Sequence, residues 1–331
     1  MTARIIIVII SVLSFLCGCS TDKPQSYKYN EANYTLEIQA VAGDIGRKKC
    51  SSLMKDAAKV FSDRLDLIRG ENSVVDKLNS QRDSVEIPPE FYSLLSRIDT
   101  LSKSTGDTWS ACLGEVRKLW GFNSSKPSRP DPDIISQQAR AASLTEIVLL
   151  EGNRVSLLGE GSLYLRSVSI GWALDAAAQV MIDGDVEAAM LEAGGVYRSW
   201  GSPSAKDKWI ITVKAPSSDS TEYKISPDAG GMCLINLSDI EVDIGDGKIN
   251  DIIDPLDGEP AEGMINLIVW TPDAMQTCIF AEATFVMGRG CMLNWIEGID
   301  SVGVFFIWSD DIDTYAESNT FMEKWISIFV P

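Results

Sequence analysis

The chain has 331 residues, 45% of them hydrophobic, and a formal net charge of −18. So acidic a body repels phosphate backbones, which argues against nucleic acid as a partner. Its length and apolar content suffice for one large domain or two small ones. It contains no histidine, which removes every His-based triad, His-ligated metal and His general base.

At the start, Arg4 precedes an apolar run from Ile5 to Leu16. That run is shorter than the roughly 20 residues a spanning helix needs and has the layout of a signal peptide. Its Leu16-Cys17-Gly18-Cys19 ending resembles a lipobox. The resemblance implies a signal peptide over residues 1–18, lipid on Cys19 (palmitate included), and an extracytoplasmic protein anchored to a bacterial membrane. Residues 19–33 are polar, without apolar periodicity, and are expected to form a tether. Residues 34–331 then form one large domain. Of seven cysteines, five lie beyond Cys17 and Cys19, an odd number with no metal-ligand spacing, so no disulfide framework is expected.

Tyr34 to Ala42 alternates as a strand does, and Leu53, Ala57, Val60, Phe61 and Leu65 fall at helical spacing. Pro88-Pro89 opens a second helix with Phe91, Leu94, Leu95, Ile98 and Leu101 on one face and Gly106 just past its end. Ser124 to Asp133 holds three prolines and reads as a loop. Arg154–Leu158 and Ser162–Val168 read as strands, Gly171–Ile182 as a helix, and Ala188–Leu191 as a buried strand running into Gly194-Gly195. In Asp243 to Asp251, an alignment to a calcium loop leaves three ligand positions apolar, so Asp246-Gly247 is expected to be a hairpin tip. Trp209–Lys214 and Met264–Trp270 are further strands, and Ala274–Met287 is a helix closed by Gly288. Strands and helices alternate irregularly, with hairpin-like pairs, which points to an α+β fold.

Six segments share an order and spacing with a known family. They are Ser73–Asn79 (SVVDKLN), Thr105–Trp109 with Lys118–Phe122 (KLWGF), Gly171–Asp175 (GWALD), Glu192–Gly195 followed by Gly201 and Trp209–Pro216, Ile252–Pro255 with Gly258 and Pro260, and the Ala274–Gly288 helix. This set resembles the FAD:protein FMN transferases, the ApbE-type family, over residues 34 to 300. The resemblance implies a flavin-transferase-like domain that binds FAD and Mg2+, passes FMN to a Thr of an exported redox protein, and releases AMP. It implies contacts to the flavin nucleotide from Thr108, Trp109, Ser110, Tyr164, Gly194 and Gly195.

Several positions depart from the family's pattern. Asp251 stands at the family's His and becomes the candidate base, although a carboxylate is a weaker base than imidazole at neutral pH. Ile170 replaces a Lys, and Tyr164 replaces an Asp. In the late helix, Cys278 and Glu282 stand at the metal-binding Asp and Thr. A thiol suits Mg2+ poorly; Glu282, one turn on, is the candidate replacement, with Ser167 as a further metal ligand. Two functions stay open: a working transferase using Asp251, Glu282 and Ser167, or a catalytically silent lipoprotein that binds flavin or a partner.

Overall fold

In the computed structural model, residues 23–31, 34–122, 124, 126–214, 221–245, 247–299, 301–310 and 313–329 are described. Strands β1 (Gln25–Glu31) and β2 (Tyr34–Val41) form a hairpin, followed by α1 (Arg47–Asp66), α2 (Val74–Gln81), the short β3 (Val85–Glu86) and α3 (Pro89–Ser104). Next come α4 (Gly114–Trp120), α5 (Pro132–Ser143), β4 (Glu146–Leu150), β5 (Arg154–Leu158) and α6 (Arg166–Asp183). The strands β6 (Ala188–Ala193), β7 (Val196–Trp200), β8 (Ile211–Lys214), β9 (Glu222–Ile225) and β10 (Gly230–Asn236) lead to α7 (Leu237–Ile240) and the hairpin β11 (Glu241–Asp243) and β12 (Lys248–Asn250). The chain closes with β13 (Asn266–Thr271), α8 (Ala274–Glu297), β14 (Gly303–Ser309), β15 (Thr314–Ser318), α9 (Thr320–Glu323) and β16 (Ile326–Phe329).

An eight-stranded sheet in the order β1-β2-β6-β7-β10-β13-β14-β15 is the frame, and every neighbouring pair in it is antiparallel. The central strands are buried on both faces. Alternation sends Leu267, Val269, Val304 and Phe306 to the side packed by α1, α6 and α8, and sends Ile268, Trp270, Phe305 and Ile307 to the other. That second face is covered by the small sheet β16-β9-β8 through Ile211, Val213, Ile225 and Trp325. The architecture is α+β, as the sequence implies. Among the described residues no helix is long and apolar enough to cross a membrane. Residues 1–18 and Cys19 lie outside the described residues, as does Asp246 at the β11–β12 turn.

Four expectations change. Gln25–Glu31, read as tether, is edge strand β1, paired through all seven residues with β2; Tyr27 and Tyr29 pack on the core and Lys28 Nζ meets Glu37 at 2.5 Å. Ser162–Val168, read as a strand, makes only an isolated bridge at Ser162 to Leu113 before α6 begins at Arg166. Tertiary packing overrides β-propensity there, because Leu163 and Leu165 are buried under the helix start. Of the 124–133 loop, the last residues enter α5, with Asp131 as its N-cap. Finally, α8 does not stop at Gly288. The chain kinks there at φ 65° and continues to Glu297, where buried Met292 and Ile296 and the Phe280–Trp295 edge contact hold the extra turns.

The packing of α6 against α8 positions the functional residues. Asp175 of α6 accepts from the Ala274 and Met275 amides at 3.0 and 2.9 Å, satisfying orphan donors at the start of α8. Its carboxylate also meets Arg198 Nε at 3.1 Å. One turn earlier, Gly171 lets α8 approach closely: a Cβ there would lie 2.8 Å from Met275 Cα and nearer still to the Ala274 carbonyl. Gly171→Ala should therefore cost about 1–3 kcal/mol by overpacking, despite alanine's better helix propensity; a urea melt showing equal or higher stability would contradict this contact.

Candidate active site

Four separate stretches of chain supply the residues singled out from the sequence. The turn after α3 carries Thr108, Trp109 and Ser110; the entry to α6 carries Tyr164 and Ser167; the turn after β12 carries Asp251; α8 carries Glu282. Backbone bonds couple the first two stretches, from the Gly114 amide to the Ser162 carbonyl (2.9 Å) and from the Tyr164 amide to that of Ala111 (2.8 Å). Asn79 brackets Leu163, accepting from its amide at 2.7 Å and donating to its carbonyl at 3.0 Å, so the SVVDKLN segment acts by fixing the residue before Tyr164. Trp120 Nε1 donates to the Gly258 carbonyl at 2.8 Å, and Asn250 Nδ2 to that of Ala261 at 2.5 Å; together they close the turn that holds Asp251.

Thr108, Trp109, Ser110, Tyr164, Ser167 and Glu282 line one cavity with Arg117, Ile252 and Ile253. The Thr108 hydroxyl donates to the Thr105 carbonyl, and the Ser110 hydroxyl accepts from the Cys112 amide, so both hold the local turn. Trp109 Nε1 donates to Glu282 Oε2 at 2.7 Å, and Ser167 hydrogen-bonds the same carboxylate. Burial pushes the Glu282 carboxyl up, while Trp109, Arg117 and Ser167 favour its charged form.

Arg117 occupies the centre. Its Nη2 lies 2.7 Å from Asp251 Oδ2, and its Nη1 donates to the Asp251 carbonyl. Its guanidinium stands 4.3 Å over the Tyr164 ring and 5.1 Å over that of Phe122. Burial alone would lower its pKa, yet Tyr164, Asp251 and Glu282 together raise it, so it is a fixed cation. The space left among these side chains is about 20 Å³, room for about one water molecule.

Gly194 and Gly195 do not line this cavity. They form the β6–β7 turn with φ of 58° and 79°, values that favour glycine. A Cβ on Gly194 would press on Tyr34 at 3.2 Å and on Ile170 at 3.3 Å. The Gly195 amide donates to Glu192 Oε1 at 3.0 Å. Burial drives Glu192 up to about 7, the Gly195 bond opposing this and Glu37, opposite it on the neighbouring strand β2, adding to it.

A divalent cation does not fit the donors present. Cys278 is buried; its hydrogen bond with Cys233, then burial, push its pKa well above the usual thiol value, so it stays a protonated soft group where Mg2+ requires hard oxygen. Glu282 is engaged by Trp109 and Ser167. Among the described residues no three His, Cys, Asp or Glu side chains converge on a point. The sequence reading missed Arg117, and the only signal for it is its place one turn before Trp120 in a helix whose neighbouring Val116 is core.

A sequence profile of the ApbE family matches residues 32–306. The chain is 22% identical over 298 residues to the FAD:protein FMN transferase of Haemophilus influenzae, covering 87% of this chain and 82% of that protein. It is 22% identical over 293 residues to the protein of the same name from Vibrio cholerae, covering 86% and 87%. Among solved structures, the Thermotoga maritima ApbE protein superposes with a TM-score of 0.79 at 22% identity, over 91% of this chain and 99% of that one. The apo form of Pseudomonas stutzeri flavinyl transferase ApbE gives 0.80 at 18%, over 92% and 97%.

Glu192 yields a pH prediction. Its folded pKa of about 7 lies above the ordinary 4.5, so the stability its neutral form contributes is full below 4.5 and is lost as pH rises through 7. Glu192→Gln keeps the acceptor for Gly195 without the charge. It should exceed wild type by about 2 kcal/mol at about pH 8 and match it at pH 4.5 in urea melts; a difference independent of pH would contradict the assignment.

Proposed function

The chain belongs to the ApbE family, and on that footing we propose that it is a catalytically silent member, a binding protein of the flavin-transferase fold. The carrying observation is the Arg117–Asp251 clasp. Transfer of FMN to a hydroxyl needs a base free to take the proton, and here Asp251 Oδ2 is already bonded to a buried guanidinium. It also needs a centre that absorbs charge developing on the pyrophosphate, and the donors at Cys278 and Glu282 do not suit Mg2+. Three changes in one site compound, because such groups act as a unit.

One observation favours retained transfer: Thr108, Trp109, Ser110, Tyr164, Ser167 and Glu282 still converge on a single cavity. Activity would then require Arg117 to leave Asp251. That would leave the buried Arg117 guanidinium without its carboxylate partner, which weighs against that reading. The Leu16-Cys17-Gly18-Cys19 ending supports a lipid anchor on Cys19 and an extracytoplasmic address. There the protein would meet exported flavin-acceptor proteins as a partner.

The full-length chain in detergent, incubated with FAD, MgCl2 and an acceptor protein carrying a target Thr, should release no AMP and leave no covalent flavin on the acceptor. Covalent flavin with equimolar AMP, abolished by Asp251→Ala, would establish the transferase instead.

A further inference from the structure

The face of the main sheet that carries α8 brings two thiols together. α8 turns back directly after β13, and β13 is antiparallel to β10, so α8 runs alongside β10 in the same direction. The two touch at their starts: Gly231 of β10 has no room for a Cβ, which would collide with the Ala274 backbone. From that contact Cys233 lies two residues along the strand, on the same face as Gly231, a rise of about 6.7 Å. Cys278 lies four residues along the helix from Ala274, on the same stripe, a rise of about 6 Å. The rises match, so the side chains meet. Both are buried in one core cluster, Cys233 at 9% exposure and Cys278 at 2%, and the two thiols share a hydrogen bond.

A disulfide needs Cα atoms no more than about 7 Å apart, and the missing side chain at Gly231 lets the helix approach on that scale. In the structure both thiols are reduced. The bond with Cys233, then burial, hold the proton on Cys278. Because the thiolate is the attacking species, exchange belongs to the folding chain, before α8 closes over β10.

We propose that Cys233 and Cys278 are joined as a disulfide during folding, by exchange with the disulfide of a thiol–disulfide oxidoreductase or a small-molecule disulfide. One thiolate attacks the oxidant, expelling a thiol and leaving a mixed disulfide; the second attacks the protein sulfur of that intermediate and expels the other thiol. The two protein thiols thereby lose two protons and two electrons, one S–S bond forms, and the oxidant's S–S bond is reduced to two thiols. The link fixes the helix that carries Glu282 to the sheet. It goes beyond the binding-protein reading and depends on neither FAD nor metal. The extracytoplasmic address inferred from the Leu16–Cys19 ending would supply the oxidant, but the chemistry can be tested without it.

The full-length chain is refolded from urea in mixed reduced and oxidised glutathione, quenched by alkylation and digested with trypsin. Peptides 225–248 and 249–289 each hold one cysteine, Cys233 and Cys278, and are expected to be recovered linked and lighter by two hydrogens. Closing a loop of about 45 residues should raise the urea midpoint by about 1 M over the same sample in dithiothreitol. That difference should vanish in Cys233→Ala and in Cys278→Ala, each compared with itself with and without dithiothreitol, so the cost of the substitution cancels. The peptide map of the wild type decides the case if either variant fails to fold. Both cysteines recovered alkylated, either one linked to Cys50, Cys112 or Cys291, or a link that leaves the midpoint unchanged or lower overturns the proposal. None of these results bears on AMP release, so the silent reading stands or falls separately.

Discussion

A guanidinium buried in the middle of the candidate site sets the terms for what surrounds it. Taking an ion of this kind out of water costs several kcal/mol unless partners replace the solvent. Here the replacement comes from the Asp251 carboxylate and carbonyl and from the faces of Tyr164 and Phe122. To provide it, the turn after β12 must hold Asp251 inward, which the Trp120–Gly258 and Asn250–Ala261 bonds accomplish. Glu282, on a helix pinned by Asp175 and Gly171, then completes the negative surroundings of the cation. The result is a filled site built by the same segments that would otherwise frame an open one.

This contrast between a family-like framework and altered chemistry runs through the molecule. Asn79 still fixes the segment before Tyr164, and the Gly194-Gly195 turn still needs its left-handed backbone. Cys278 lies in α8, packed against α6, but as a protonated thiol facing Cys233 instead of a hard ligand. A fold can persist under such changes because its stability lies in the two-sided burial of β13 and β14 and in the α6–α8 contact, where Ile170 and Cys278 pack as core residues.

Much of this was legible in the sequence. Period-two alternation marked Tyr34–Val41, helical spacing marked α1 and α3, and the ordered segments brought Thr108, Trp109, Ser110, Tyr164, Ser167 and Glu282 to one cavity. Three kinds of feature were not. The edge strand β1 hides among polar residues because only Tyr27 and Tyr29 face the core. Ser162–Val168 has strand composition, yet its leucines are buried beneath a helix start. Arg117 reads as an ordinary helical cation, since periodicity reports which face is buried but not that a charge has been buried with its partner 134 residues away.

The central claim is that Arg117, bonded to Asp251 and close to Glu282, already neutralises the carboxylates that a divalent ion would need. Its most direct test is calorimetric titration of the wild-type chain with MnCl2, with Arg117→Ala alongside. The account predicts no saturable binding to wild type and new binding in the variant, where Asp251 and Glu282 are released. Stoichiometric binding to wild type that Glu282→Ala abolishes would contradict it.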